Sequence, residues 1–192
     1  MTLSRQWERH ARALVDRAGP LEGEYYRSVE LSYAHPDDVI SGEGTRLYGG
    51  RFVRPGVRAV YGSADEHTAI REAAARKQRL AGGAGTRLAD YPRITHVIAV
   101  ELALSVDLTF SDSDIEALLP ACLDRELGDS QEVGEFWRLH GVQGIRYPSA
   151  VPGLTGTNVV VFRDAVPPPK IVLVNRERII EELRRLSDRS PT

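Results

Sequence analysis

The sequence predicts an α+β fold built on a mostly antiparallel sheet system. Strand-like segments are many and helical ones few, the two kinds do not alternate regularly, and no repeat or composition break divides the chain. Its 192 residues match the size of one domain with a sizeable core.

Residues 5–18 read as an amphipathic helix with Trp7, Ala11, Leu14 and Val15 on one face, stopped by Gly19-Pro20. Residues 24–33 alternate, with Tyr25, Arg27, Val29 and Leu31 set against Tyr26, Ser28 and Glu30. Arg27 thus shares a face with apolar residues, where a guanidinium needs either an ion pair or a bound anion. Residues 41–56 form a glycine-rich loop without a phosphate-loop or dinucleotide fingerprint. A strand follows at 58–62, and Ser63 or Asp65 caps a helix running from Thr68 to about Leu80. Residues 81–90 read as a flexible connector and 93–104 as an alternating strand, with 105–110 extending it or turning. Short helices are expected at 113–119 and 130–141, and a short strand at 144–147. A loop at 148–157 leads to the continuous apolar run 158–162, the signature of a central strand. Pro167-Pro168-Pro169 is a stiff spacer before a strand at 171–175 and a closing helix at 176–186.

Composition limits function. Hydrophobic residues make up 42%, charged residues 27%, and the formal net charge is −2, which argues against an electrostatic nucleic-acid or membrane binder. The single cysteine, Cys122, allows no internal disulfide, and no zinc spacing or other metal-binding pattern exists. The first residues carry no long apolar run, so a reducing, cytoplasmic location is expected. Arginines dominate the basic stretch 46–93, either as a compositional bias or as anion contacts.

The candidate chemistry centres on Glu72, which lies just inside a helix that follows a strand end. Three distant segments are placed to meet there: Tyr25-Tyr26-Arg27, Ala69-Ile70-Arg71-Glu72 and Tyr147-Pro148-Ser149-Ala150. An arginine, a glutamate and a serine in one cleft can hold a phosphorylated sugar and stabilise positive charge on it.

These segments, with Gly49-Gly50-Arg51-Phe52, Pro55-Gly56, Val60-Tyr61, Gly156, Asn158 and Phe162, resemble the RES domain family from about Tyr25 to Leu173. The resemblance implies an ADP-ribosyltransferase-like fold of two small packed sheets with a cleft for NAD. It implies a bacterial toxin with a helix-turn-helix (Xre-type) antitoxin partner, and NAD as substrate for hydrolysis, phosphorolysis or ADP-ribosyl transfer to a protein acceptor. Residues 1–20 and 81–85 look additional to the family pattern, and Phe52-Val53-Arg54 departs from it.

On this resemblance Glu72 faces the ribose and offsets charge at the anomeric carbon, against the alternative of a solvated first-turn glutamate. Arg27 binds the pyrophosphate, against a structural salt bridge, even one with Glu72. Arg51 holds a phosphate or the nicotinamide ribose, against a solvated loop arginine. Tyr61 stacks on nicotinamide or packs in the core, and Tyr48 and Tyr26 are weaker versions of the same idea. Ser149 orients Glu72 or a ribose hydroxyl, against a turn serine. Asn158 is included among the binding residues, although satisfying backbone groups at the loop exit is the simpler reading. His35, His67, His96 and His140 sit in no motif and read as structural or surface residues. The rival from another class is a non-catalytic module that docks RNA or an acidic protein through the arginine-rich stretch.

Overall fold

Two long strands organise the computed structural model, which describes residues 3–80 and 93–188. The connector expected at 81–90 and the additional segment at 81–85 lie outside the described residues. Strand β1 (Gly19–Glu30) pairs antiparallel with β3 (Arg93–Asp107) along almost its whole length, from Gly19↔Ser105 to Glu30↔Arg93. The other edge of β1 meets β2 (Ala59–Ser63) at Tyr26↔Ser63. From there β2 pairs with β5 (Thr157–Phe162), and β5 with β4 (Gly144–Pro148), both antiparallel. Strand β4 returns to the end of β3 in parallel, while β6 (Ile171–Leu173) adds to the middle of β3.

The expectation of two small sheets is therefore corrected to one mixed, six-stranded sheet that closes on itself. The reason is length. β3 is long enough to hold β1 and β6 along one part and β4 at its end, which joins what shorter strands would leave as separate layers. The antiparallel expectation holds for every pairing except β3–β4.

Helices flank this sheet. They are α1 (Arg5–Asp16), α2 (Pro36–Val39), α3 (Glu43–Tyr48), α4 (Glu66–Leu80), α5 (Ser113–Leu123), α6 (Gly128–Leu139) and α7 (Arg176–Asp188). The segment expected as a glycine loop thus contains α3, whose Thr45 hydroxyl bonds the carbonyls of Gly42 and Ala59 and fastens the turn to β2. Glycine density concealed a helix that a buried threonine secures. Predicted strand 24–33 starts earlier and ends at Glu30, where a 3₁₀ turn at Leu31–Tyr33 takes over.

Strand β5 is buried on both sides, as its unbroken apolar run predicts. Val160 and Phe162 join a core with Ala11 and Leu14 of α1, Leu118 and Cys122 of α5, and Val133 and Trp137 of α6. Val159 and Val161 join a second core with Tyr25, Val29, Ile98, Val100 and Ile171. Trp137 Nε1 donates to the Ala11 carbonyl (3.0 Å), so α1 is locked into the first core. Burial raises the Cys122 thiol to about 12, the behaviour of a packed residue. Among the described residues no helix is long and apolar enough to cross a membrane.

Candidate active site

The helix that carries Glu72 begins where Asp65 stops β2 from continuing. The Asp65 carbonyl accepts the Ala69 amide, and its carboxylate accepts the Thr68 amide (2.8 Å) and hydroxyl (2.7 Å). Helix α4 thus starts at Glu66, earlier than the predicted Thr68, and Glu72 lies in the second turn rather than the first. That weakens the helix-dipole explanation for its position, because the dipole acts within the first turn. Asp65→Ala should cost about 1 kcal/mol of stability in urea unfolding. The Thr68 hydroxyl, then its amide, hold the Asp65 carboxyl below the usual range. This stabilisation is complete above the unfolded value of about 3.9 and disappears as pH falls through the depressed folded value.

Glu72 Oε1 accepts two hydrogen bonds, from Ser149 Oγ (2.6 Å) and Asn158 Nδ2 (2.7 Å). Asn158 is itself held by Ser63, whose hydroxyl donates to Asn158 Oδ1 (2.7 Å) across the Ser63↔Asn158 pair of β2 and β5. Asn158 therefore bonds side chains of the site, not the backbone groups expected of it. Ser149 is fixed by its amide to the Gly156 carbonyl (2.8 Å) and by the Val151 amide to its own Oγ (3.1 Å). Gly156 lies so close to Thr68 that an added Cβ would sit 2.6 Å from Thr68 Cγ2, which pins the 148–157 loop on the start of α4. The second carboxylate oxygen, Oε2, has no hydrogen bond among the described residues.

Arg27 stands on β1 and makes no hydrogen bond with Glu72, Ser149 or Asn158 among the described residues. Its Nη1 donates to the Tyr61 carbonyl (2.7 Å), and its buried Nε has no partner. No carboxylate pairs with it among the described residues, so the salt bridge to Glu72 that the sequence left open is not formed. Burial, then repulsion from Arg76 and Arg93, brings the guanidinium down to about 10. Arg93 has partners of its own in Glu30 and Ser28. A half-buried guanidinium with a buried, unpartnered Nε and cationic neighbours is a candidate for anion binding.

Arg76 and Arg79 were counted in the arginine-rich stretch 46–93 but not singled out. They follow Glu72 at i+4 and i+7 and so share its helix face. That spacing was the available signal. Arg76 donates to the carbonyls of Gly44 and Gly49, both at 3.2 Å, and Arg79 makes no hydrogen bond or ion pair among the described residues. Tyr147 was quoted in its segment without a role. It is buried edge-on against Phe52, with ring centres 4.9 Å apart. Burial pushes its hydroxyl well above the usual range, with Tyr61 and Glu72 reinforcing this and Arg51 and Arg79 opposing it.

The other candidates are placed differently from expectation. Arg51 Nη1 donates to the Cys122 (3.0 Å) and Asp124 (2.7 Å) carbonyls and so caps the end of α5. A ligand contact is left to its Nε and Nη2, which have no partner among the described residues. The Tyr61 ring lies against Gly50, and its hydroxyl accepts the Phe52 amide (3.1 Å). Burial raises that hydroxyl to about 12, so the ring supports the glycine segment. Tyr48 is 64% exposed at the end of α3. Among the described residues no group of three or more His, Cys, Asp or Glu side chains is placed to hold a metal ion.

The sequence pattern of the RES domain matches residues 4–182. The match includes α1, which looked additional from the sequence. A chain from the crystal structure of the M. tuberculosis MbcT–MbcA toxin–antitoxin complex superposes with a TM-score of 0.68 at 21% identity, over 96% of this chain and 100% of that one. At that identity the likeness shows the fold. No curated protein matches the chain.

Proposed function

Because this chain belongs to the RES domain family, we propose that it is the toxin of a toxin–antitoxin pair and cleaves the nicotinamide–ribose bond of NAD. The observation that carries the chemistry is the Glu72 carboxylate, held at Oε1 by Ser149 and Asn158 with Oε2 open, on the same helix face as Arg76 and Arg79. The toxin half draws support from the fold shared with a chain of the MbcT–MbcA toxin–antitoxin complex.

In this reading Arg27 takes the pyrophosphate and the α4 arginines add positive potential. Glu72 Oε2 accepts from the ribose and faces the anomeric carbon. The bond from C1′ to the nicotinamide nitrogen breaks, and its electron pair leaves with nicotinamide. The oxocarbenium-like carbon is stabilised by the Glu72 charge until water or phosphate adds and releases a proton. Nicotinamide leaves without protonation, so no general acid is required. Ser149 and Asn158 fix the carboxylate and are positioning residues. A helix-turn-helix antitoxin remains the proposed partner. The exposed Leu47 and Tyr48 of α3, next to the Gly49 carbonyl that Arg76 holds, offer apolar contact to such a protein.

Incubation with NAD labelled in its adenylate half, with and without phosphate and a cell lysate, tests the reading. Free nicotinamide with unlabelled protein is expected. Labelled protein would select transfer to a protein acceptor instead, and intact NAD under every condition would end the proposal. Ser149→Ala removes one of the two donors to Glu72, and kcat should drop about tenfold with KM changed little.

A further inference from the structure

We propose that His96 is a second anion-contacting residue, forming with Arg27 a buried subsite for a phosphate oxygen of the ligand. This rests on the reading of the cleft as a dinucleotide site and adds a residue to it. Arg27 and His96 stand directly opposite each other in the β1–β3 register, so their side chains leave the same face of the sheet. His96 is only 2% exposed, yet its Nε2 has no hydrogen-bond partner among the described residues. The Nε of Arg27 is buried and unpartnered in the same way. Two neighbouring polar atoms left open inside a folded protein call for a shared partner, since buried polar groups are otherwise satisfied.

The partner must be an acceptor. Arg27 offers only donors. Burial and the adjacent Arg27 charge both lower the affinity of His96 for a second proton, so the ring is neutral. In the tautomer protonated at Nε2 it donates one N–H. A guanidinium and a neutral imidazole on paired positions of one face both offer donors, which suits a phosphate oxygen better than a sugar hydroxyl. The opposite faces of these strands are already occupied: Arg93 binds Ser28 and Glu30, and Lys77 pairs with Glu30. Those cations are engaged on the other face, while Arg27 and His96 stand at the margin of the second core, in line with Tyr25 and Ile98.

The test compares wild type, His96→Leu and His96→Gln as full chains. Titrations use ADP-ribose, ADP and phosphate-free adenosine, and melting curves confirm folding. His96→Leu should bind ADP-ribose and ADP about tenfold more weakly and adenosine as before. His96→Gln, which keeps an N–H donor, should recover most of the loss. In turnover of NAD, KM should rise more than kcat falls. The proposal is overturned if His96→Leu binds ADP-ribose as tightly as wild type, or if adenosine weakens equally, which would mark a packing role. If wild type binds ADP-ribose in this pattern but releases no nicotinamide from NAD, the cleavage reading falls and the His96 subsite stands.

Discussion

Glu72→Gln should abolish nicotinamide release from NAD by about a thousandfold while leaving the fold intact. The substitution keeps the side-chain length and retains an oxygen able to accept from Ser149 and Asn158. What it removes is the negative charge proposed to face the anomeric carbon. Loss of one preorganised electrostatic contact in a desolvated site costs roughly 4 kcal/mol of barrier at the upper end of the observed range. Because ground-state contacts persist, KM should change far less than kcat. In cells the same variant should lose growth arrest and keep antitoxin binding. Equal arrest by wild type and variant would show that Glu72 is not the group acting on the sugar.

Gly134→Ala should be the most damaging glycine-to-alanine change among the described residues. Helix α6 grips the segment that supports the site: Ser130 Oγ donates to the Arg51 carbonyl (2.6 Å), and Gln131 Nε2 donates to the carbonyls of Gly50 (2.9 Å) and Val53 (3.2 Å). A Cβ at Gly134 would lie 2.8 Å from Phe52 C and Cβ, and closer still to Phe52 O. The obstacle is mostly backbone, and Phe52 is fully buried between Trp137 and Tyr147, so no rotamer change relieves it. We expect a loss of about 3 kcal/mol, and a fall in Tm of roughly 6–12 °C. Gly128→Ala is the control, because an added Cβ there meets nothing within 4 Å. It should be neutral or slightly stabilising through helix propensity. Equal melting of the two variants would contradict the packing described.

Much of this site was legible because local chemistry wrote it into short segments. Two-residue alternation placed Arg27 inward, and an aspartate after a strand end marked the start of α4. The apolar run at 158–162 identified a strand buried on both faces. What was not legible depends on partners far away in sequence. Arg51 stood between a ligand contact and a solvated loop arginine, and nothing in its loop reveals that carbonyls at the end of α5 hold its Nη1. Asn158 looked like a backbone cap, because nothing near it reveals that Ser63 and Glu72 converge on its amide. Arg76 and Arg79 were two among many in the arginine-rich stretch, and only the position of Glu72 on the same helix face singles them out. The single closed sheet was hidden for a similar reason: the β1–β2 junction rests on one pair, Tyr26↔Ser63.

If Arg27, Glu72 and Ser149 face one dinucleotide, a crystal structure of the Glu72→Gln chain with NAD will show it. The nicotinamide ribose should lie within hydrogen-bonding distance of residue 72, with the pyrophosphate against Arg27. A dinucleotide bound elsewhere on the chain, or a ribose out of reach of residue 72, would contradict it.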